Sequence, residues 1–291
     1  ALNNLRAGFG FGCLDGDIKS MDQSMSGQVV AAAFQCWEQL YPLATDEDRK
    51  VRQWITDCVT NPLVMVSGTD VAGRRRSMLV QLMRGLMSGI AATVHVNVFA
   101  NHFYYCVAAA KFLNPEWSPL AHCTGTVDLE FAYKQVIMTA YGDDSKPAVR
   151  AALKDITTAD IHRALLDIGV KYTNADKTDP LENPKSPGPP DVEDFLKRSF
   201  RVADGHVYAP LALESIFKSV YWMKSPEPDV SLHQRIDSAF RELSLHGREV
   251  FDRYAPKLHA AARIGRGVTY CSSFSNYEVA LAAVTGIGSS L

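Results

Sequence analysis

The chain has 291 residues, 47% hydrophobic and 21% charged, with a formal net charge of −2; this length buries a sizeable core in one large or two moderate domains and excludes a wholly disordered chain. The near-neutral balance gives no global attraction to nucleic acid, so any RNA contact must come from local features such as Arg74, Arg75 and Arg76. Six scattered cysteines (Cys13, Cys36, Cys58, Cys106, Cys123 and Cys271) with no CxxC pair exclude a dense disulfide framework and a clustered zinc site, and read as free thiols in a reducing compartment.

In chain order, the Gly-rich run 8–12 leads into Cys13, Leu14, Asp17 and Ile18, which predicts a strand ending in acidic residues. The glycines precede that strand, whereas a phosphate loop follows one and opens a helix, so they read as a lead-in. Phe34, Trp37 and Leu40 recur at helical spacing behind the capping residues Ser24 and Ser26. Residues 45–80 are mixed and charged, with Gly68 and Gly73 marking turns. Ser88 opens a long helical stretch. Its richest part, 90–113, carries His95, Asn97, Asn101, His102 and Lys111 and reads as a buried helix. No uninterrupted apolar run approaches the ~20 residues of a membrane-spanning helix, so no transmembrane segment is expected.

Val136, Ile137 and Met138 predict a strand that turns at Tyr141, Gly142, Asp143 and Asp144. Thr158 can cap a helix through Ile161, Leu165 and Ile168 that Gly169 stops, and 170–173 reads as a strand. The order is strand, helices, strand-turn-strand, helix, strand: the βαββαβ pattern of a split βαβ sheet, ferredoxin-like and antiparallel. Five prolines in 179–190 predict a loop or extended linker. Residues 195–208 predict a hairpin turning at Asp204-Gly205. Beyond it the pattern is helical: Ile236, Phe240 and Leu243 share a face that Gly247 ends, and Val250, Phe251 and Tyr254 start a helix that Pro256 closes. The fold class expected is α+β with a separate helical unit.

Adjacent carboxylates repel, so Asp143 and Asp144 at a hairpin tip sit either in free solvent or around a cation. Alone, Gly-Asp-Asp is a common surface turn. Asp17 ends a strand of the same βαββαβ unit, and the topology makes that strand a neighbour of the hairpin. Carboxylates from two adjacent strands suit a pair of Mg²⁺ ions, which take a few carboxylates and complete their shells with substrate phosphates.

With these residues the sequence resembles the RNA-dependent RNA polymerases of picorna-like, positive-strand RNA viruses. Asp17-Ile18-Lys19-Ser20-Met21-Asp22 resembles the motif with two aspartates separated by four residues. Ser88-Gly89, Thr93 and Asn97 resemble the Ser-Gly, Thr, Asn motif, and Tyr141-Gly142-Asp143-Asp144 follows. Ala175-Asp176-Lys177 is similar to the lysine-bearing loop, and Phe195-Leu196-Lys197-Arg198 to the hairpin that grips the primer. Residues 208–222 and Leu243-Ser244-Leu245-His246-Gly247 resemble the start of the thumb. Each motif is weak by itself, whereas five in order over nearly the whole chain are specific.

The resemblance implies a right-hand polymerase palm over 1–209, with an inserted fingers segment at about 41–84, and a partial helical thumb over 210–291. It implies two Mg²⁺ ions (Mn²⁺ as a substitute) held by Asp17, Asp143 and Asp144, and RNA-templated transfer of nucleotides from ribonucleoside triphosphates to an RNA 3′-hydroxyl. Asp22 and Asn97, with Ser88, Gly89 and Thr93, would select the ribose; Lys177 would protonate the departing pyrophosphate; Lys197 and Arg198 would touch the RNA backbone. Implied partners are an RNA template and primer and other viral replication proteins, in the host cytoplasm at membrane-associated replication complexes.

The plainer reading of each residue stands beside these roles: an N-cap for Ser88, satisfied core polar groups for Thr93 and Asn97, solvated charge for Lys177, Lys197 and Arg198. Three departures from the family pattern stand out. Val98 follows Asn97 where a serine is common, and Pro147 follows the acidic turn and is expected to weaken the returning strand. Only sixteen residues precede Asp17, where the family carries a long fingers region, so a truncated chain is expected. Rival readings are a reverse-transcriptase-like polymerase, which usually places a bulky aromatic where Asp22 stands, an inactive palm fragment or scaffold, and an unrelated Mg²⁺ hydrolase.

Overall fold

The structure, a computed structural model, describes residues 12–14, 16–87, 89–119, 127–188, 195–222, 224, 228–263 and 272–286. Two units of mixed helix and antiparallel sheet divide between residues 190 and 191. In the first, β1 (Gly16–Ile18) is followed by α1 (Met21–Ser24), α2 (Gly27–Glu38) and α3 (Asp46–Thr60), then the hairpin β2 (Leu63–Thr69) and β3 (Arg75–Gln81). Next come α4 (Thr93–Leu113), α5 (Leu129–Lys134), the hairpin β4 (Val136–Tyr141) and β5 (Asp144–Val149), α6 (Thr158–Leu166) and β6 (Tyr172–Asn174).

Helix starts follow their caps. The Ser26 hydroxyl accepts the Val29 N–H at 3.3 Å. Thr45 with Asp48 and Thr157 with Asp160 form reciprocal capping boxes at the starts of α3 and α6. The cap of α6 is therefore Thr157 rather than Thr158. Helix α4 is buried over most of its circumference: Val96, Ala100, Tyr104, Val107 and Ala108–Ala110 lie in the core with Ile18, Leu153, Ile161, Leu165 and Tyr172.

The strand ladders are two-stranded, and hydrogen bonds from the segment before β1 join the β1–β6 ladder to the β4–β5 hairpin. β1 pairs antiparallel with β6, Asp17 opposite Thr173. On its other flank the Leu14 N–H donates to the Pro147 carbonyl at 2.9 Å and the Val149 N–H donates to the Gly12 carbonyl at 3.3 Å, with Cys13 opposite Ala148. Residues 12–14 thus run along β5 and 16–18 along β6.

Some expectations change. Region 45–80 holds a full helix and a seven-residue-per-strand hairpin, in which Gly68 is a ladder residue opposite Arg76 and only Gly73, at φ +74°, serves the turn. Helix α4 begins at Thr93, and Ser88 lies outside the described residues. Pro147 does not break its strand: it faces Met138 in the ladder, and its carbonyl serves Leu14. The Pro-rich stretch is fastened rather than a free linker, because Thr158 and Lys185 exchange backbone and hydroxyl bonds and Gly188 pairs with Cys13.

The second unit opens with β7 (Arg201–Ala203) and β8 (His206–Tyr208), joined at Asp204 and Gly205, both at positive φ as a tight two-residue hairpin turn requires. Helices α7 (Leu213–Tyr221), α8 (Pro228–Ser244), α9 (Arg248–Arg263) and α10 (Tyr277–Thr285) bury Ile216, Ile236, Phe240, Leu243, Phe251, Leu258 and Ala280 together. Pro256 lies inside α9 instead of ending it. It faces solvent, where the carbonyl it leaves unbonded can take water, while Phe251, Ala255 and Leu258 keep the helix packed. No helix among the described residues is long and apolar enough to cross a membrane.

Gly16 is required by a close approach. A Cβ there would lie 1.9 Å from the Tyr172 hydroxyl oxygen. Tyr172 is fully buried, and the Tyr105 hydroxyl donates to its oxygen at 3.1 Å, so it has nowhere to swing. Gly16→Ala is expected to destabilise the first unit by about 1–3 kcal/mol, read as a fall in thermal midpoint; an unchanged midpoint would refute the contact.

Candidate active site

The short strand β1 sets the direction of Asp17. Gly16 and Ile18 are buried, so the residue between them points to the opposite face, and its side chain is 34% exposed. There the Lys177 ammonium donates to the Asp17 carboxylate. Lys177 is held for this by a tight turn at φ +66°, where its N–H donates to the Asn174 carbonyl at 2.8 Å. The buried Asn174 amide donates to the Thr178 hydroxyl and the Asn183 carbonyl, both at 2.9 Å. Asp176 accepts from Lys185 at 2.6 Å and from the Thr178 hydroxyl at 2.6 Å, and these bonds hold its carboxyl well below the usual range. The loop is therefore braced on both sides of the lysine.

Asp143 and Asp144 lie at the β4–β5 turn, in which Tyr141 pairs with Asp144 and Gly142 takes φ +65°. Both carboxylates are exposed while Gly142 is buried, and the Asn101 amide donates to the Gly142 carbonyl at 3.1 Å. The Cys13–Ala148 bridge and the Leu14–Pro147 bond place the segment that leads into β1 alongside β5, the strand that begins at Asp144. Among the described residues, no three His, Cys, Asp or Glu side chains already form a group that could hold a metal. The donor set still fits a hard divalent ion: three exposed or half-exposed carboxylates at neighbouring strand ends, with room for substrate oxygens to complete the shell.

The residues that the resemblance assigns to ribose selection lie around the start of α4 and the loop before it. The Asp22 carbonyl accepts the Leu86 N–H at 2.6 Å, and Gly85, at φ +99°, allows that close pass. The Thr93 hydroxyl donates to the Met87 carbonyl at 3.1 Å and so ties down the loop that carries Gly89, itself at φ +95°. Asn97 is only 6% exposed, and its Oδ1 has no hydrogen-bond partner among the described residues. A buried acceptor without a donor suits a ligand hydroxyl.

In the second unit, Leu196 and Lys197 both take positive φ in a turn that pairs Phe195 with Arg198. Lys197 is exposed at its tip. Arg198, expected at an RNA backbone, instead makes a bidentate pair with Glu242 at 2.8 and 2.9 Å and donates to the Ala209 carbonyl at 2.7 Å. Glu242 raises its pKa above the ordinary value. In the triple-Arg turn, Asp70 takes Arg74 and Arg76 at 3.4 and 3.2 Å. Cys36, Cys58 and Cys106 are free thiols; Cys123 and Cys271 lie outside the described residues.

The sequence reading missed the site role of Asn101. Its signal was a second asparagine four residues after Asn97 in a helix otherwise rich in apolar residues, which puts both on one face.

The sequence profile of the family described as Viral RNA-dependent RNA polymerase matches residues 5–262. The chain is similar to the genome polyprotein of Rice tungro spherical virus (strain Vt6), at 30% identity over 64% of the chain and 5% of that polyprotein. It is also similar to the RNA1 polyprotein of Tomato torrado virus, at 28% identity over 80% of the chain and 12% of the relative. A third relative is the replicase polyprotein of Drosophila C virus, at 32% identity over 40% of the chain and 7% of the relative. The chain thus spans a small part of each, and with its matched profile and picorna-like relatives it belongs to the viral RNA-dependent RNA polymerase family.

Proposed function

We propose that the chain carries the palm and helical thumb of an RNA-directed RNA polymerase that copies a viral genome by two-metal nucleotidyl transfer. The first unit would supply the βαββαβ palm with its inserted fingers segment, and the helices of the second unit the thumb. The observation that carries this reading is the placement of Asp17 on a strand next to the one that begins at Asp144, with a lysine ammonium on the Asp17 carboxylate.

Asp17 and Asp143 would hold the cations, with Asp144 beside them. When bound, such ions activate the RNA 3′-hydroxyl and neutralise the departing pyrophosphate. Asp22 and the unpartnered Asn97 Oδ1 would bind the ribose hydroxyls, the feature that separates RNA precursors from DNA precursors, with the 87–93 loop, including Ser88 and Gly89, shaped by Thr93. Lys177, already at Asp17, would give its proton to a pyrophosphate oxygen as the P–O bond breaks. Lys197 would touch the phosphate backbone of the growing strand, while Arg198 fixes the turn that presents it. The partners are an RNA template and primer, ribonucleoside triphosphates and, since the relatives are polyproteins, other viral replication proteins. The place of action would be the host cytoplasm, at membrane-associated replication complexes.

Primer extension on a primed RNA template, with ribonucleotides and Mg²⁺ and the polymerase that contains this chain, tests this. Extension is expected to fall at least about a hundredfold in Asp143→Ala and in Asp17→Ala; full extension in either would remove the proposed site. Asp22→Ala is expected to cut the preference for ribo- over deoxyribonucleotides by about tenfold or more, measured as a ratio of kcat/KM values. Unchanged discrimination would refute the ribose role.

A further inference from the structure

Helix α4 buries a polar stripe. Asn97, Asn101 and Tyr104 sit at i, i+4 and i+7 and share a face; they are 6%, 0% and 1% exposed. Among the described residues, Asn97 Oδ1, Asn101 Oδ1 and the Tyr104 hydroxyl have no hydrogen-bond partner. Burial pushes the Tyr104 phenol up to about 12, so it stays neutral. Buried polar groups left in this state lower stability, and apolar side chains would pack as well. The Asn101 Nδ2 differs from these atoms, because it donates to the Gly142 carbonyl at 3.1 Å.

That carbonyl belongs to the peptide linking Gly142 to Asp143. Its plane fixes how the chain enters Asp143, and hence where that carboxylate points. Gly142 is at φ +65°, a region in which glycine is permissive, so a side-chain tie at this residue restrains a turn that would otherwise be loose. One helical turn away, Asn97 lies on the same face.

We propose that Asn101 is a positioning residue: its bond to the Gly142 carbonyl sets the acidic turn and couples it mechanically to the helix face that bears Asn97. The inference deepens the metal-binding reading of Asp143 and rests on it. The rival is a purely structural role, in which Asn101 merely satisfies a buried carbonyl.

The test compares wild type with Asn101→Leu, which keeps the volume and removes the donor, and Asn101→Ser, which keeps a donor and leaves space for a water. Tyr104→Phe, which removes an unpartnered hydroxyl from the same stripe, is the control. Amide hydrogen exchange and Mn²⁺ affinity by electron paramagnetic resonance are read on each. In Asn101→Leu, exchange over 141–146 is expected to be about tenfold faster, with the peptides of α6 and β1 unchanged. Mn²⁺ binding is expected to weaken about 10–100-fold, with partial recovery in Asn101→Ser and no change in Tyr104→Phe. Unchanged exchange over 141–146, or faster exchange spread evenly through the unit, overturns the proposal. Should Asn101→Leu fail to fold, Asn101→Ser is read alone against the same criteria. If wild-type Mn²⁺ binding does not depend on Asp143, the metal reading fails by itself, and the exchange arm still decides whether Asn101 governs the turn.

Discussion

Like charges repel, and carboxylates carried on neighbouring strands need positive charge beside them. In this chain Lys177 supplies part of it, from a loop whose geometry has little other purpose. Its backbone is at φ +66°, and Asn174, Thr178, Asp176 and Lys185 lock it from both sides. The rest of the first unit follows from holding these strands in place. Tyr172 packs over Gly16, residues 12–14 bond to β5, and α4 fills the space behind.

Much of the site was legible because its signals are local. Tyr141-Gly142-Asp143-Asp144 between two apolar runs specifies a tight turn, and Asp204-Gly205 another; both formed as read. Helix α3 and the β2–β3 hairpin were illegible because they do not bury the residues that a period would reveal. Trp54, Leu63, Met65, Met78 and Leu79 are all well exposed, so no core-facing stripe marks them. Pro147 and Pro256 were read as breakers, yet packing overrode local preference: one carbonyl found Leu14, and the other ring faces water. The tie made by Asn101 escaped notice because the sequence gives no sign of what an asparagine in an apolar helix will bond; its partner is 41 residues away.

The second unit shows how a charged motif can divide its labour. Arg198 and Lys197 read alike as backbone-binding cations in sequence. The fold commits Arg198 to Glu242 and leaves Lys197 exposed on a strained turn. Arginine's planar fork suits a bidentate carboxylate partner, and lysine's compact charge suits a phosphate.

The account stands on cations gathering at the ends of two strands. Its most direct test is crystallography of the chain soaked with Mn²⁺, using anomalous scattering to locate the metal. The account predicts a peak ligated by Asp17 and Asp143, with the Lys177 ammonium moved off the Asp17 carboxylate. Strong Mn²⁺ peaks elsewhere, with Asp17 still paired to Lys177 and no metal at the acidic turn, would contradict it.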